Sequence, residues 1–235
     1  MNAYFLVEGR RSERKVYPAW LSHLLPELKR VNTFTDVSTN NYFIISGEGY
    51  PSILNDHIPN AVEDINDIGK YNFFIIVLDA EEISVNERLA EVTNAINRQR
   101  EKLSNISVRI IIQNRCLETW LLGNRRVFVR NPESEKLRSF IKYYNVETDD
   151  PEYMGKFRGF NTHAQFHLAY LKSIFYEKNV SYSKKRPWHV MNLPYLNQLI
   201  LRIEQTNHLK TFAAFIELCD ELKASIETGA IYNVL

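Results

Sequence analysis

The sequence predicts an α/β fold built on a doubly wound, mostly parallel sheet. Two observations carry this. Apolar, β-prone runs at 3–7, 42–45, 72–78 and 108–112 are continuous rather than alternating, the pattern of strands covered on both faces. Helical periodicities lie between those runs, so strand and helix take turns along the chain.

In chain order, the strand at 3–7 leads into a helix over 12–29 that sets Val16, Trp20, Leu21, Leu24 and Leu28 on one face. The strand at 42–45 precedes a helix over 52–68. The strand at 72–78 precedes a helix over 85–103, and 108–112 is the fourth strand. Trp20, Trp120 and Tyr17 are assigned to the core. From about Asn131 the composition changes. Asn131-Pro132-Glu133-Ser134 reads as a turn with a helix start, and Thr148-Asp149-Asp150-Pro151 as a loop. Amphipathic helices follow over 161–178 and 209–226; in the last, Leu209, Phe212, Phe215, Ile216, Cys219, Leu222 and Ile226 recur at helical spacing. The expected division is a sheet domain over 1–130 and a mostly helical extension over 131–235 packed on it.

Composition narrows the function. The chain has 235 residues, 45% hydrophobic and 24% charged, with 8 Gly and 8 Pro, which argues against disordered and fibrous classes. The formal net charge of +1 provides no global attraction for nucleic acid, so such a ligand requires local clusters of Lys and Arg. Cys116 and Cys219 are far apart and form no CxxC pair, which argues against a disulfide framework and a cysteine zinc site. No stretch approaches the roughly 20 apolar residues of a membrane span. The apolar run at the N-terminus is too short for a signal peptide, so no membrane association and a cytoplasmic location are expected.

In an open parallel sheet, ligands bind beyond the carboxyl ends of the strands. The first strand ends in Glu8, the third in Asp79-Ala80-Glu81-Glu82, and the fourth leads to Glu118. Each delivers carboxylates to one rim. Clustered carboxylates repel unless a cation neutralises them, and an all-oxygen set suits Mg²⁺ or Mn²⁺. Any one of these residues also reads as a helix cap or a solvated loop carboxylate.

Three stretches carry a family resemblance. Val7-Glu8-Gly9-Arg10-Arg11-Ser12-Glu13 resembles the first Toprim motif, a strand ending in Glu-Gly with a second Glu five residues after the first. Asp79-Ala80-Glu81 is similar to the second motif, Asp-x-Asp, with Glu in the last place. Asn114-Arg115-Cys116-Leu117-Glu118-Thr119-Trp120-Leu121-Leu122 resembles Asn-Pro-Cys-Phe-Glu-x-Trp-Leu-Leu of the RloB-like branch, within the RloB-like/OLD-like group. Ser46-Gly47-Glu48-Gly49 before a helix also fits that branch. Arg115 stands where the motif has proline, and Glu82 competes with Glu81 as the ligand. The resemblance covers about the first half of the chain; the remainder resembles, faintly, Toprim effectors of retron systems.

The resemblance implies a Toprim-like (Rossmann-like) fold and a metal-dependent endonuclease of bacterial anti-phage defence, a toxin held in check by an ABC-type or AAA-type ATPase or another system component. It implies one or two Mg²⁺ (or Mn²⁺) ions held by Glu8, Asp79, Glu81 or Glu82, and Glu118, with Glu8 or Glu13 relaying a proton. Glu13 reads equally as a helix-start carboxylate. The substrate is RNA, tRNA included, or DNA. A homodimer is left open. The competing expectation is a non-catalytic nucleic-acid-binding or regulatory partner of a defence ATPase. Topoisomerase activity is disfavoured, because little room remains for a tyrosine-bearing domain.

Two basic clusters suit phosphate contacts: Arg10 and Arg11 beside the first motif, and Lys184-Lys185-Arg186-Pro187-Trp188-His189. Arg115 joins them as a nucleic-acid-binding candidate. Lys184 or Lys185 is placed to stabilise transition-state charge. His163 and His167 have a zinc-compatible spacing, but Ala164 replaces the glutamate of HExxH, which favours packing. The Gly47-Glu48-Gly49 turn lacks the Lys-Ser/Thr of a P-loop, so no ATPase is expected.

Overall fold

The computed structural model describes residues 1–232, with side chains through Gly229. Its strands are β1 (Asn2–Val7), β2 (Lys29–Arg30), β3 (Asn41–Ser46), β4 (Phe73–Asp79) and β5 (Ser107–Gln113). They form one five-stranded, all-parallel sheet in the order β2-β3-β1-β4-β5, flanked by helices and consistent with a Rossmann-like fold. Each predicted apolar run became a strand whose ends lie within one residue of those expected. All six residues of β1 are buried, as are Phe73–Leu78 of β4. This is why those runs do not alternate.

β1 is the pivot. It pairs in parallel with β3 from Asn2↔Asn41 to Val7↔Ser46, and with β4 from Ala3↔Phe73 to Val7↔Val77. The chain builds β2 and β3 on one side of β1 and β4 and β5 on the other, so the strand order reverses about β1. That places the residue after β1, Glu8, at the topological switch point where such sheets bind ligands.

Helix α1 (Glu13–Leu24) ends five residues before the sequence pattern suggests. The reason is Pro26, whose ring excludes the preceding residue from helical geometry. The residues beyond it supply the short edge strand β2 instead. A π turn (Ile53–His57) leads into α2 (Ile58–Ile68), which stops at Gly69 in a left-handed C-cap, φ 61°. The expected helix over 85–103 is α3 (Val85–Asn97) followed by a 3₁₀ turn, Arg100–Leu103. After β5 come α4 (Leu117–Leu121), α5 (Glu135–Tyr143), α6 (His163–Glu177), α7 (Trp188–Met191), α8 (Leu193–Gln205) and α9 (Lys210–Tyr232). Side chains begin three of these: Ser134 accepts from Leu137 N, Thr162 from Gln165 N and Asn192 from Tyr195 N. Among the described residues, no helix is long and apolar enough to cross a membrane.

The chain forms two compact units, both discontinuous in sequence. Among the described residues, the first holds 1–78, 86–112 and 215–232; the second holds 79–85 and 113–214. The division therefore falls at the ends of β4 and β5 and within α9, rather than near residue 130. In the first unit, Phe215 of α9 meets Tyr17 edge-on at 5.3 Å and Trp20 at 6.2 Å. Glu221, further along the same helix, takes two hydrogen bonds from Arg109 of β5, at 2.8 and 2.5 Å. In the second unit, Phe140 packs against Phe157 and Phe166, and Trp120 against Phe212. Both cysteines are buried and reduced.

Phe215 is fully buried, so Phe215→Ala is expected to lower stability by about 3–5 kcal/mol in urea unfolding. A loss below about 1 kcal/mol would show that the last helix contributes little to the sheet unit.

Candidate functional site

The carboxylates at the strand ends divide between the two units. In the sheet unit, the backbone of Glu8 is fixed on both sides: its N–H donates to Val77 O (3.0 Å), and its carbonyl accepts from Ser46 Oγ (3.1 Å) and Gly49 N (3.2 Å). Glu8 is buried at the end of β1. Gly9 has a steric reason to be glycine, since a Cβ there would lie 2.0 Å from the carboxylate of Glu13. Glu13 is itself buried, folds back over that glycine and accepts from Ser12 Oγ at 2.8 Å. The Glu-Gly pair with a second Glu five residues on is thus a compact packing unit. Arg10 forms an ion pair with Glu48 at 2.6 Å, both side chains well exposed; such a pair contributes at most about 1 kcal/mol. Arg11 is exposed.

In the second unit, the turns after β4 and β5 each hold a non-glycine residue in left-handed backbone: Glu81, φ 53°, and Arg115, φ 70°. They brace each other. Glu81 N–H donates to Arg115 O at 3.0 Å, and the Arg115 guanidinium returns to the carbonyls of Glu81 (3.0 Å) and Ile83 (2.9 Å). Proline fixes φ near −65°, so it cannot occupy position 115 in this geometry, which accounts for Arg115 in its place. Arg115 was a candidate for nucleic-acid contact; its guanidinium is engaged in holding the turn after β4.

Glu82 is also taken up locally. One carboxylate oxygen accepts from His163 N (2.6 Å) and the other faces His163 Nδ1 (2.8 Å), at the start of α6. Partial burial pulls its pKa up, but the His163 bonds outweigh this and hold it below the usual carboxylate range. Glu82, expected as an alternative metal ligand, is the anchor of a helix N-terminus.

Glu118 differs from these. It sits in the first turn of α4 and is completely buried. Its Oε1 accepts from the Tyr182 hydroxyl at 3.2 Å; its Oε2 receives no hydrogen bond and lies 3.5 Å from Lys184 Nζ. Burial holds the thiol of Cys116 well above its ordinary range; the charges of Glu118 and Asp79 push the same way and Lys184 opposes them. Cys116 therefore stays a neutral thiol, and Asp79, Glu118 and Lys184 act on one small region of this unit. Lys184 belongs to a tight turn in which Arg186 N donates to Ser183 O at 2.9 Å. Lys185 and Arg186 on the same turn are exposed.

Tyr182 belongs to none of the sequence motifs. Its ring is stacked on Phe175, with centroids 5.6 Å apart and planes 23° from parallel, which fixes where its hydroxyl points. The signal available was spacing: in an extended segment, residues two apart share a face, and Tyr182 precedes Lys184 by two. His167 has the packing role expected. It is buried, bonds Thr119 Oγ1 at 2.8 Å and Met154 O at 3.3 Å, and burial lowers its pKa to about 3, so it is neutral.

Among the described residues, no group of three or more His, Cys, Asp or Glu side chains is gathered to hold a metal ion. Beside Cys116 the second unit nevertheless offers the half-buried Asp79 and the buried Glu118, and Glu118 Oε2 accepts no hydrogen bond. That donor set fits Mg²⁺, which typically keeps several waters and uses one or two carboxylates together with substrate phosphates. No family model, curated protein or solved structure matches the chain.

The Glu82 anchor has a pH signature. Its folded pKa lies below the ordinary 4.5, so it stabilises the fold above that value, and the contribution is lost as pH falls through the lowered one. Glu82→Gln is expected to remove part of the acid-induced fall in melting temperature below pH 4.5. An unchanged acid limb would show that the carboxylate does not anchor α6.

Proposed function

We propose that the chain is a Mg²⁺- or Mn²⁺-dependent endonuclease acting on RNA or DNA. The observation that supports this reading best is Glu118. A carboxylate removed entirely from water, with one oxygen taking no hydrogen bond, is costly for a fold to retain without function. A divalent cation, when bound, activates a water for attack on phosphorus and neutralises charge on the phosphate.

The chain's own residues have distinct parts. Glu118 and Asp79 supply oxygen ligands. Tyr182 holds the Glu118 carboxylate in one orientation through Oε1, and Glu118 with Asp79 would hold the ion. Lys184, 3.5 Å from Oε2, neutralises the buried charge and is placed to stabilise negative charge on a phosphoryl oxygen. Lys185 and Arg186 offer exposed cations to the strand's backbone. Glu8, Glu13 and Glu81 are the further carboxylates that the Toprim resemblance assigns to this chemistry. The same resemblance supports a place in cytoplasmic anti-phage defence, with an ABC- or AAA-type ATPase restraining an otherwise toxic activity.

One observation favours a second reading. Among the described residues, no three candidate ligands are gathered together, as suits a non-catalytic nucleic-acid-binding partner of such an ATPase.

Cleavage of total tRNA, single-stranded DNA and plasmid decides between them. The purified chain is expected to cut at least one substrate with Mg²⁺ or Mn²⁺ and none with EDTA. Glu118→Gln is expected to lower the rate by about a hundredfold or more, and Glu8→Ala tests the carboxylate after β1. Calorimetry with Mn²⁺ alone supplies an independent reading: no binding to the wild-type chain overturns the metal-dependent enzyme, and binding weakened in Glu118→Gln supports it.

A further inference from the structure

The second unit contains a cavity of about 440 Å³ in a region to which neither the family resemblance nor the carboxylate rim gives a role. This is within the size range of small-molecule sites. Its floor is aromatic. Phe175 and Tyr195 are buried there, 6.2 Å apart between centroids, and the exposed ring of His189 leans on Phe175 at 6.3 Å. Around that floor stand Arg126, Lys178 and Gln198.

The polar groups of this cavity fall into two classes. The amides of Asn124 and Asn192 are spent on local caps, accepting from Arg126 N and Tyr195 N. By contrast, among the described residues, no protein hydrogen bond or ion pair engages the Arg126 guanidinium, the Lys178 ammonium, the ring nitrogens of His189 or the Gln198 amide. Two cations, an imidazole and an amide that both donates and accepts thus line one cavity with their hydrogen-bonding capacity unspent. A ligand satisfying all of them carries a planar heterocycle with a polar edge and an anionic group. Those are the parts of a nucleotide.

The floor also leads toward the buried carboxylate. Phe175 carries the stacked ring of Tyr182, and the Tyr182 hydroxyl donates to Glu118 Oε1. An occupant stacked on His189 is therefore separated from the residue that orients Glu118 by the Phe175 ring.

We propose that this cavity receives one unpaired nucleotide of the substrate strand, its base on the exposed ring of His189 with Gln198 on its edge, and its phosphate on Arg126 and Lys178. The proposal rests on the nucleic-acid reading above and sharpens it: a base buried there is unavailable for pairing, so the substrate is single-stranded or looped at that position.

Binding is measured in EDTA with the full-length chain, so that no cleavage intervenes, using short labelled single-stranded and duplex oligonucleotides. Trp188 is a built-in reporter, being 56% exposed while Trp20 and Trp120 are fully buried. The wild type is expected to prefer the single strand, with Trp188 fluorescence changing on binding. The double variant Arg126→Ala/Gln198→Ala is expected to bind about tenfold more weakly, with a native circular dichroism spectrum. Arg138→Ala, a cation of the same unit outside the cavity, is expected to change affinity less than about threefold. Equal losses in the two variants, unchanged binding by the double variant, or a preference for duplex overturns the proposal. Free nucleoside monophosphate binding as tightly as the oligonucleotide overturns the strand as occupant. Metal-dependent cleavage and its loss in Glu118→Gln are scored on the same preparations. Cavity-dependent binding without cleavage removes the enzyme reading alone; cleavage without cavity-dependent binding removes the cavity alone.

Discussion

Strand β1 is hydrogen-bonded along its length to β3 on one side and β4 on the other, and all of its side chains are buried. The sheet unit depends on this placement. A strand covered on both faces and paired on both edges has no freedom to slip, because moving by one residue would break two ladders together. Where that strand ends, the constraint passes to Glu8, whose N–H and carbonyl continue the bonding to Val77, Ser46 and Gly49. The chain then turns through Gly9 under the carboxylate of Glu13. Motif and fold are one object here: the spacing of Glu8, Gly9 and Glu13 is what a tight exit from a buried central strand into a helix requires.

The second unit solves a different problem, which is how to keep a charge in a dry place. Glu118 has no access to water, and its partners come from a turn far along the chain: Tyr182 at one oxygen and Lys184 near the other. The arrangement is asymmetric. One oxygen is oriented by a hydroxyl that is fixed by ring stacking, and the other faces only an ammonium at a distance where attraction persists without a hydrogen bond. Such a half-satisfied carboxylate contributes little to stability. In the proposed enzyme it is the group that would take a divalent cation, and the aromatic layer behind it lies between that group and a cavity whose own cations and amide are uncommitted.

Strain supports the same rim. Glu81 and Arg115 hold left-handed backbone that costs non-glycine residues of order 1–3 kcal/mol each. They hold it by bonding each other and by the return of the Arg115 guanidinium onto two carbonyls. A proline at 115 would bring neither the dihedral nor the donors. The substitution is therefore part of a different way of fixing the turn that follows Asp79.

The sequence by itself determined four of the five strands, their parallel character and the composition of their carboxyl ends, because these are written locally in continuous apolar runs and in the residues that close them; the short, exposed edge strand β2 has no such run. It also marked the Ser134 helix start, and Pro26 was there to be read as the stop for α1. Tertiary structure alone decided which carboxylates are engaged by distant groups and which keep an oxygen that accepts no hydrogen bond. Glu82 lies 81 residues from the His163 that captures it, and Glu118 lies 64 from Tyr182. Pairings at that separation leave no periodicity in the chain, since a side chain's partner is set by where the backbone returns and not by its neighbours in sequence. The same reason hid the division into units: Phe215 and Glu221 belong with the sheet because α9 carries them back to it, a relation between distant segments that composition read along a line does not contain.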